Sequence, residues 1–156
     1  AWAYRLNQTN QIVGNCHKLP NSIFSKELLS LDEMQNGLGC SFNALFEINP
    51  SIKIVVTVSP VRHIKDGIIE NNLSKSRLIQ VAHHLKDKYS EVAYFPSYEI
   101  MMDDLRDYRF YAKDMLHPSE VAIEYIWEKF GDCFFDSDTI LLNQKILKIL
   151  QGCNHF

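Results

Sequence analysis

Asp114, His117, Pro118 and Ser119 stand in one short run, Asp114-Met115-Leu116-His117-Pro118-Ser119, whose residue types suit acid–base chemistry at a turn. An imidazole can take a proton from a hydroxyl nucleophile and return it to a leaving group, provided a carboxylate holds its other ring nitrogen as N–H. Three residues apart in a tight turn, Asp114 can reach back to Nδ1 of His117 and leave Nε2 pointing outward. Pro118 biases His117 toward an extended backbone, and Ser119 is placed to cap a following helix. With six histidines in the chain, a D-x-x-H spacing also arises by chance, so its place in the fold decides its meaning. The one hydroxyl of the run, Ser119, is placed as a helix cap, so the nucleophile for the pair to serve is missing.

Other residues compete for chemical roles. Ser59 ends an apolar β-branched run, where a hydroxyl could project into a site, but no glycine-flanked turn exposes it, and Pro60 removes the following N–H as an oxyanion donor. Arg62 and His63 follow the same run. They could bind an acyl or sugar oxygen, or pair with Asp66 or Asp107. Asn15 and His17 are further substrate-site candidates, with a capped loop turn as the alternative. His83 and His84 are adjacent on a helix pattern, about 100° apart, and do not share a face as metal ligands at i and i+4 would. Tyr98, Tyr108, Phe110 and Tyr111 could form a carbohydrate platform or simply pack. Asp103, Asp104 and Asp107 alternate with Arg106 and Arg109, which suggests ion pairs rather than a cation site.

The elements that must carry these residues follow from periodicity. Residues 1–15 read as a hairpin turning at Asn7-Gln8-Thr9-Asn10, and Asn15 to Lys18 lead into a polar loop. From Ser30, Leu31, Met34, Leu38, Phe42 and Leu45 recur at helical spacing, and Ser30 with Glu33 forms a capping box. Gly37 and Gly39 inside that helix imply fraying or close packing, and Asn49-Pro50 ends it. Ile52 to Val58 reads as a strand buried on both faces. Asn72 or Ser74 is the expected cap of a helix carrying Leu78, Val81, Ala82, Leu85 and Tyr89, and Glu91 to Phe95 is the next strand. Together these make a βαβ unit whose strands end on one sheet edge, the usual place for a site. A loop or short helical stretch from Tyr98 to Tyr111 leads to the Asp114 run. Ser119 then caps a helix with Ala122, Tyr125, Ile126 and Phe130, and a last helix runs from Thr139 to about Leu150, capped by Asp138 and closed by Gly152.

Composition narrows the function classes. The chain has 156 residues, 46% apolar, with 16 Lys and Arg against 19 Asp and Glu, for a net charge of −3. That suits one core, and the absence of a basic run argues against nucleic acid as a partner. Apolar runs such as Ile54 to Val58 fall far short of the ~20 residues of a membrane span. Cys16, Cys40, Cys133 and Cys153 show no zinc spacing, and scattered, partly buried thiols favour a reducing compartment over a disulfide framework. An upstream signal peptide stays open, as does the oligomeric state.

Four segments carry a family resemblance: Thr57-Val58-Ser59-Pro60-Val61-Arg62-His63, Tyr94-Phe95-Pro96-Ser97-Tyr98-Glu99-Ile100, the run from Asp103 to Tyr111, and Asp114-Met115-Leu116-His117-Pro118-Ser119. With Ala1-Trp2 and Asn15-Cys16-His17-Lys18, they make nearly all of residues 1–130 similar to the GSCFA family. The resemblance implies kinship with SGNH (GDSL-like) hydrolases, in which D-x-x-H-P supplies the triad Asp and His. Asp114 and His117 map onto those roles. The implied fold is α/β, a flavodoxin-like three-layer α/β/α arrangement with a mostly parallel sheet. The implied activity is ester hydrolysis, on carbohydrate-linked or lipid-like esters, with no cofactor and no metal.

The Gly-Ser-Cys-Phe-Ala stretch that names the family, and whose serine corresponds to the nucleophile, does not occur in this sequence. Gly39-Cys40-Ser41-Phe42 is a scrambled echo within a helix pattern. The expectation is therefore an N-terminally truncated chain, with residues 1–156 as a partial domain and residues 131–156 as its C-terminal helical extension. Ala1-Trp2 supplies no side-chain amide for the oxyanion hole of SGNH enzymes. On this reading the serine lies upstream, Asp114 orients His117, and the isolated chain is inactive. The alternative is a non-catalytic binding module on the same fold; a Gly-Ser-Cys-Phe-Ala segment upstream of Ala1 would favour the enzyme.

Overall fold

A computed structural model describes residues 1–153. The fold is α/β, and the chain divides into two compact units, residues 1–98 and 99–156. Of the cysteines, Cys16 is half-buried and free, whereas Cys40 and Cys133 are free and exposed. The side chain of Cys153 lies outside the described residues. No helix among the described residues is long and apolar enough to cross a membrane.

The first unit opens with the expected hairpin, β1 (Trp2–Leu6) and β2 (Gln11–Val13). Its turn closes by hydrogen bonding of Asn10 N to Leu6 O at 2.8 Å, with Asn10 at φ 56°, a conformation asparagine tolerates. A third strand, β3 (Phe24–Leu28), pairs antiparallel with the other side of β1 where the sequence suggested only loop, giving the order β2-β1-β3. In that register Tyr4 faces Lys26, and the Lys26 ammonium lies 5.7 Å from the Tyr4 ring and 5.4 Å from that of Trp2.

Helix α1 (Leu31–Ile48) begins on the expected box: Glu33 N donates to Ser30 Oγ at 3.2 Å, and Ser30 N donates to the Glu33 carboxylate at 3.0 Å. Ser30→Ala should cost about 0.5–2 kcal/mol, read as a lowered urea midpoint at unchanged slope; an unmoved midpoint would show the helix start is held otherwise. Of the two glycines, Gly39 is the closely packed one. Its carbonyl accepts from Tyr89 Oη at 3.3 Å, and an added Cβ would lie 3.4 Å from both that oxygen and Lys88 Nζ.

The second sheet is a single parallel pair, β4 (Ile54–Thr57) with β5 (Val92–Phe95), joined through α2 (Ile68–Lys88) as a βαβ unit. The parallel sheet expected from the sequence is thus two strands wide, beside an antiparallel sheet. β4 is not buried on both faces. Ile54 and Val56 pack toward Met34 and Phe42 of α1 and Val81 and Leu85 of α2, while Val55 on the opposite face is 40% exposed. The β-branched run set strand propensity; the position of α1 and α2 set which face is covered.

Helix α2 also starts earlier than expected. Gly67, at φ 108°, is its first boundary residue, and Asn72 and Ser74 lie inside the helix. Glycine suits that corner because φ 108° is a conformation that L side chains rarely adopt; an added Cβ would also displace the Glu70 carboxylate. The expected stripe is present: Val81, Ala82 and Leu85 are buried.

In the second unit, a helical turn α3 (Ser97–Glu99) that begins at the end of the first unit leads into a π-helical turn, Ile100–Asp104. Met101 and Leu105 pack there against Ala122 of α4 (Glu120–Phe134), with Tyr111, Tyr125 and Ile126 around them. Ser119 caps α4 as expected, its Oγ accepting from Ala122 N at 3.3 Å. Helix α5 (Ser137–Cys153) is capped by Asp136, whose Oδ1 accepts from Thr139 N at 2.8 Å, not by Asp138, which is already helical. Gly152 likewise lies within α5. Leu141, Leu147, Ile149 and Leu150 of this helix are more than half exposed.

Candidate functional site

The Asp114 run forms a closed turn between a 3-10 turn and the α4 helix of the second unit. Residues Tyr108–Phe110 make a 3-10 turn, after which Tyr111 bridges Pro118 antiparallel, Ala112 N donates to His117 O at 2.8 Å, and Ser119 N donates to Phe110 O at 2.8 Å. Two ladder rungs and the start of α4 therefore fix both ends of residues 112–117. To turn within six residues, the chain puts Met115 at φ 62°, a left-handed conformation that an unbranched non-glycine residue adopts at a cost of roughly 1 kcal/mol or more. Strain held in place beside a carboxylate and an imidazole is a recurrent mark of functional turns.

What the strained turn achieves is convergence of donors on one carboxylate. Asp114 Oδ1 accepts from Leu116 N at 2.9 Å and His117 N at 3.0 Å, and Oδ2 lies 2.6 Å from His117 Nδ1. The Leu116 and His117 backbone N–H groups, then the His117 ring, hold the Asp114 carboxyl well below its ordinary value, at about 2. An ionised carboxylate only accepts. Nδ1 of His117 must therefore carry the hydrogen of that contact, which leaves Nε2 of the neutral ring as a base. The His117 side chain is 59% exposed and that of Asp114 47%. An ion pair so exposed adds little stability; its consequence is ring orientation and tautomer.

The depressed Asp114 pKa has a pH consequence. Because the folded value lies below the ordinary 3.8, the turn's share of stability from this group is full above about pH 4 and is lost as pH falls through about 2. The carboxyl carbon of Asp114, followed by NMR, should titrate with a midpoint near 2. A midpoint near 4 would mean the backbone donors are not engaged in solution.

The other candidates lie in the first unit. The C-terminal ends of β4 and β5 are joined by side chains: Thr57 Oγ1 lies 2.7 Å from Ser97 Oγ, and Ser97 Oγ donates to Val58 O at 2.9 Å. Beside this edge is a cavity of about 550 Å³. Ser59 and His63 line it, so the structure brings these two together. Ser59 Oγ accepts from Val61 N at 3.2 Å, a local turn contact. His63 N donates to Asn71 Oδ1 at 2.9 Å. Arg62 is half-buried in the same connection and is not among the residues lining the cavity. The acidic partners considered for Arg62 and His63 are bonded to others, Asp66 to Lys26 and Asp107 to Arg109. Asn15 is exposed and outside the lining; its Oδ1 accepts from His17 N at 2.7 Å, the capped turn.

The remaining sequence candidates fall into packing roles. His83 and His84 are exposed, the His83 ring resting 4.7 Å from that of Tyr94. Asp103 pairs with Arg106 at 2.6 Å. Phe110 and Tyr111 pack on the Met101 cluster. Gly39 to Phe42 are interior to α1. Among the described residues no group of three or more His, Cys, Asp or Glu is placed to hold a metal.

Two cavity residues were missed in the sequence. Asn71 and Lys75 are buried, at 8% and 4% exposure. The signal was available, since Asn71, Lys75, Leu78, Ala82 and Leu85 follow one another at spacings of four and three and so share the helix face that packs inward.

Residues 1–130 match the model of the GSCFA family. The chain belongs to the GSCFA family. The match includes both the β4–α2–β5 unit and the Asp114–His117 turn, and it ends within α4. No curated protein and no solved structure shows a significant match to the chain.

Proposed function

We propose that the GSCFA domain is an SGNH-type serine hydrolase acting on ester bonds, with His117 as general base and then acid and Asp114 as the residue that orients it. The observation that carries this reading is the 2.6 Å contact of His117 Nδ1 with a carboxylate held ionised by two backbone N–H groups. Such a carboxylate fixes the ring tautomer that a hydroxyl nucleophile needs. The nucleophile is the serine of the Gly-Ser-Cys-Phe-Ala segment, which is not among these 156 residues. In the first step Nε2 takes the serine proton as Oγ attacks the ester carbonyl; His117 returns it to the leaving alkoxide, and a water deprotonated by the same nitrogen releases the acyl group. Asp114 stays ionised and stabilises the imidazolium.

In this reading the β4–β5 pair belongs to the parallel sheet of a three-layer α/β/α domain, with residues 131–156 as its helical extension. Arg62, His63 and Asn15 are the proposed contacts to the substrate, a small ester with an acyl group linked to a carbohydrate or lipid-like alcohol. Membership of the family supports a hydrolase-like protein, and the Asp114–His117 geometry supports the ester chemistry.

The test is hydrolysis of p-nitrophenyl acetate and butyrate by the domain carrying its Gly-Ser-Cys-Phe-Ala segment, alongside residues 1–156 alone. Turnover by the first and none by the second is expected. No turnover by the longer domain would leave a binding module as the better account, and turnover by residues 1–156 that is lost in Ser59→Ala would make Ser59 the nucleophile.

A further inference from the structure

The cavity in residues 1–98 joins an apolar wall to a buried cation with spare donors. At about 550 Å³ it has the size of pockets that enclose small organic ligands. Leu78, Val81, Ala82 and Leu85 of α2 supply one wall, and Lys75 comes from the same helix face one turn earlier. The Lys75 side chain is 4% exposed; its ammonium donates to the Ser59 carbonyl at 2.6 Å and lies 6.0 Å from the Tyr98 ring. An ammonium has three N–H groups, so one carbonyl leaves donor capacity unused. Among the described residues no carboxylate pairs with it: the one carboxylate of the lining, Asp66, is bonded to Lys26.

Asn71, four residues before Lys75 on α2, adds a second donor. Its Oδ1 is engaged by His63 N, and its amide nitrogen donates to no described residue. Ala1 also lines the cavity, and its amino group donates to Ser74 Oγ at 2.9 Å. A charge removed from water without a counter-charge is costly, and burial accordingly pushes the Lys75 ammonium below its usual pKa. A monoanion at this position would offset that cost. A side-chain cation with no carboxylate partner suits a single negative charge, and the wall of α2 suits an alkyl group beside it.

We propose that this cavity binds a small carboxylate with an apolar tail, the carboxylate held by Lys75 and the Asn71 amide and the tail laid along Leu78, Val81, Ala82 and Leu85. The lining includes His63, also proposed above as a substrate contact, but the readout is binding by residues 1–156 without turnover, so failure of this proposal and failure of the hydrolase reading are distinguishable.

Calorimetric titration of the chain with octanoate, octanol and inorganic phosphate tests it. Octanoate should bind at least tenfold more tightly than octanol, which has the tail without the charge, and phosphate should bind no more tightly than octanol. Lys75→Met should lower octanoate affinity at least tenfold and leave that for octanol unchanged. Equal binding of octanoate and octanol by the wild-type chain, phosphate binding as tight as that of octanoate, no octanoate binding, or undiminished octanoate binding by Lys75→Met would each overturn the proposal. The wild-type comparison decides the matter even if the methionine variant fails to fold, as judged by circular dichroism.

Discussion

On the proposed hydrolase reading, His117→Ala, in a form of the domain that includes a Gly-Ser-Cys-Phe-Ala segment, should lower kcat/KM for p-nitrophenyl ester hydrolysis by about 10³-fold or more, the range expected on removing a triad base. The substitution is clean. The turn that holds His117 is closed by its backbone, through Ala112 N to His117 O at 2.8 Å and His117 N to Asp114 Oδ1 at 3.0 Å. None of these bonds uses the imidazole, so the variant should keep the wild-type circular dichroism spectrum and urea midpoint while losing turnover. Asp114→Asn is the informative companion. An asparagine Oδ1 can still accept from Leu116 and His117, which preserves the turn, but the amide does not compel Nδ1 of His117 to carry the hydrogen. Its loss should therefore be in kcat more than in KM, as for a group that orients a base. Full activity in His117→Ala would remove the hydrolase mechanism outright.

The largest stability effect should come from Leu85→Ala, at about 2–5 kcal/mol. Leu85 is 2% exposed and sits where Met34 and Phe42 of α1 meet Val81 of α2 and Val92 of β5. The neighbours cannot all close on the space left. Phe42 is held against Tyr89 with ring centres 6.0 Å apart, Tyr89 is tied to Asn43 at 2.9 Å, and β5 is fixed by its register with β4. A residual void raises the cost above the transfer of the lost methyl groups. Urea unfolding followed by tyrosine fluorescence and by far-ultraviolet dichroism checks it; a shift below about 1 kcal/mol would mean that α1 and α2 re-close over the gap. Leu85 also lines the Lys75 cavity.

The features most legible in the sequence were those written within a few residues. The Ser30–Glu33 box and the Ser119 cap each join a side chain to a backbone group three positions away, and both are present as read. Asp114 and His117 are equally local, so their contact could be anticipated from spacing and the proline that follows. Features decided by distant packing were read less well. β3 was missed because Phe24-Ser25-Lys26-Glu27-Leu28 has apolar residues only at its ends, and what makes it a strand is pairing with β1, 22 residues earlier at the Arg5–Glu27 contact. β4 was over-read because Ile, Val and Thr report strand propensity without saying which face a helix will cover. Lys75 carries no signal in its residue type, since lysines are rarely buried, although its spacing places it with Leu78 and Leu85. Asp114 and His117 acquired meaning from the family pattern, since spacing alone could not separate them from chance.

The two-stranded width of the β4–β5 pair has a consequence for how this chain associates. Among the described residues each of these strands pairs only with the other, so one backbone edge of each has N–H and C=O groups with no neighbouring strand. Such edges act as templates: they capture extended segments by main-chain hydrogen bonding, largely without regard to side chain. Val55, 40% exposed on the uncovered face of β4, adds apolar area beside one of them. A strand added there would extend the sheet laterally while leaving the Ile54 and Val56 packing in place, so growth of this sheet and integrity of the α1–α2 core are separable properties of the molecule.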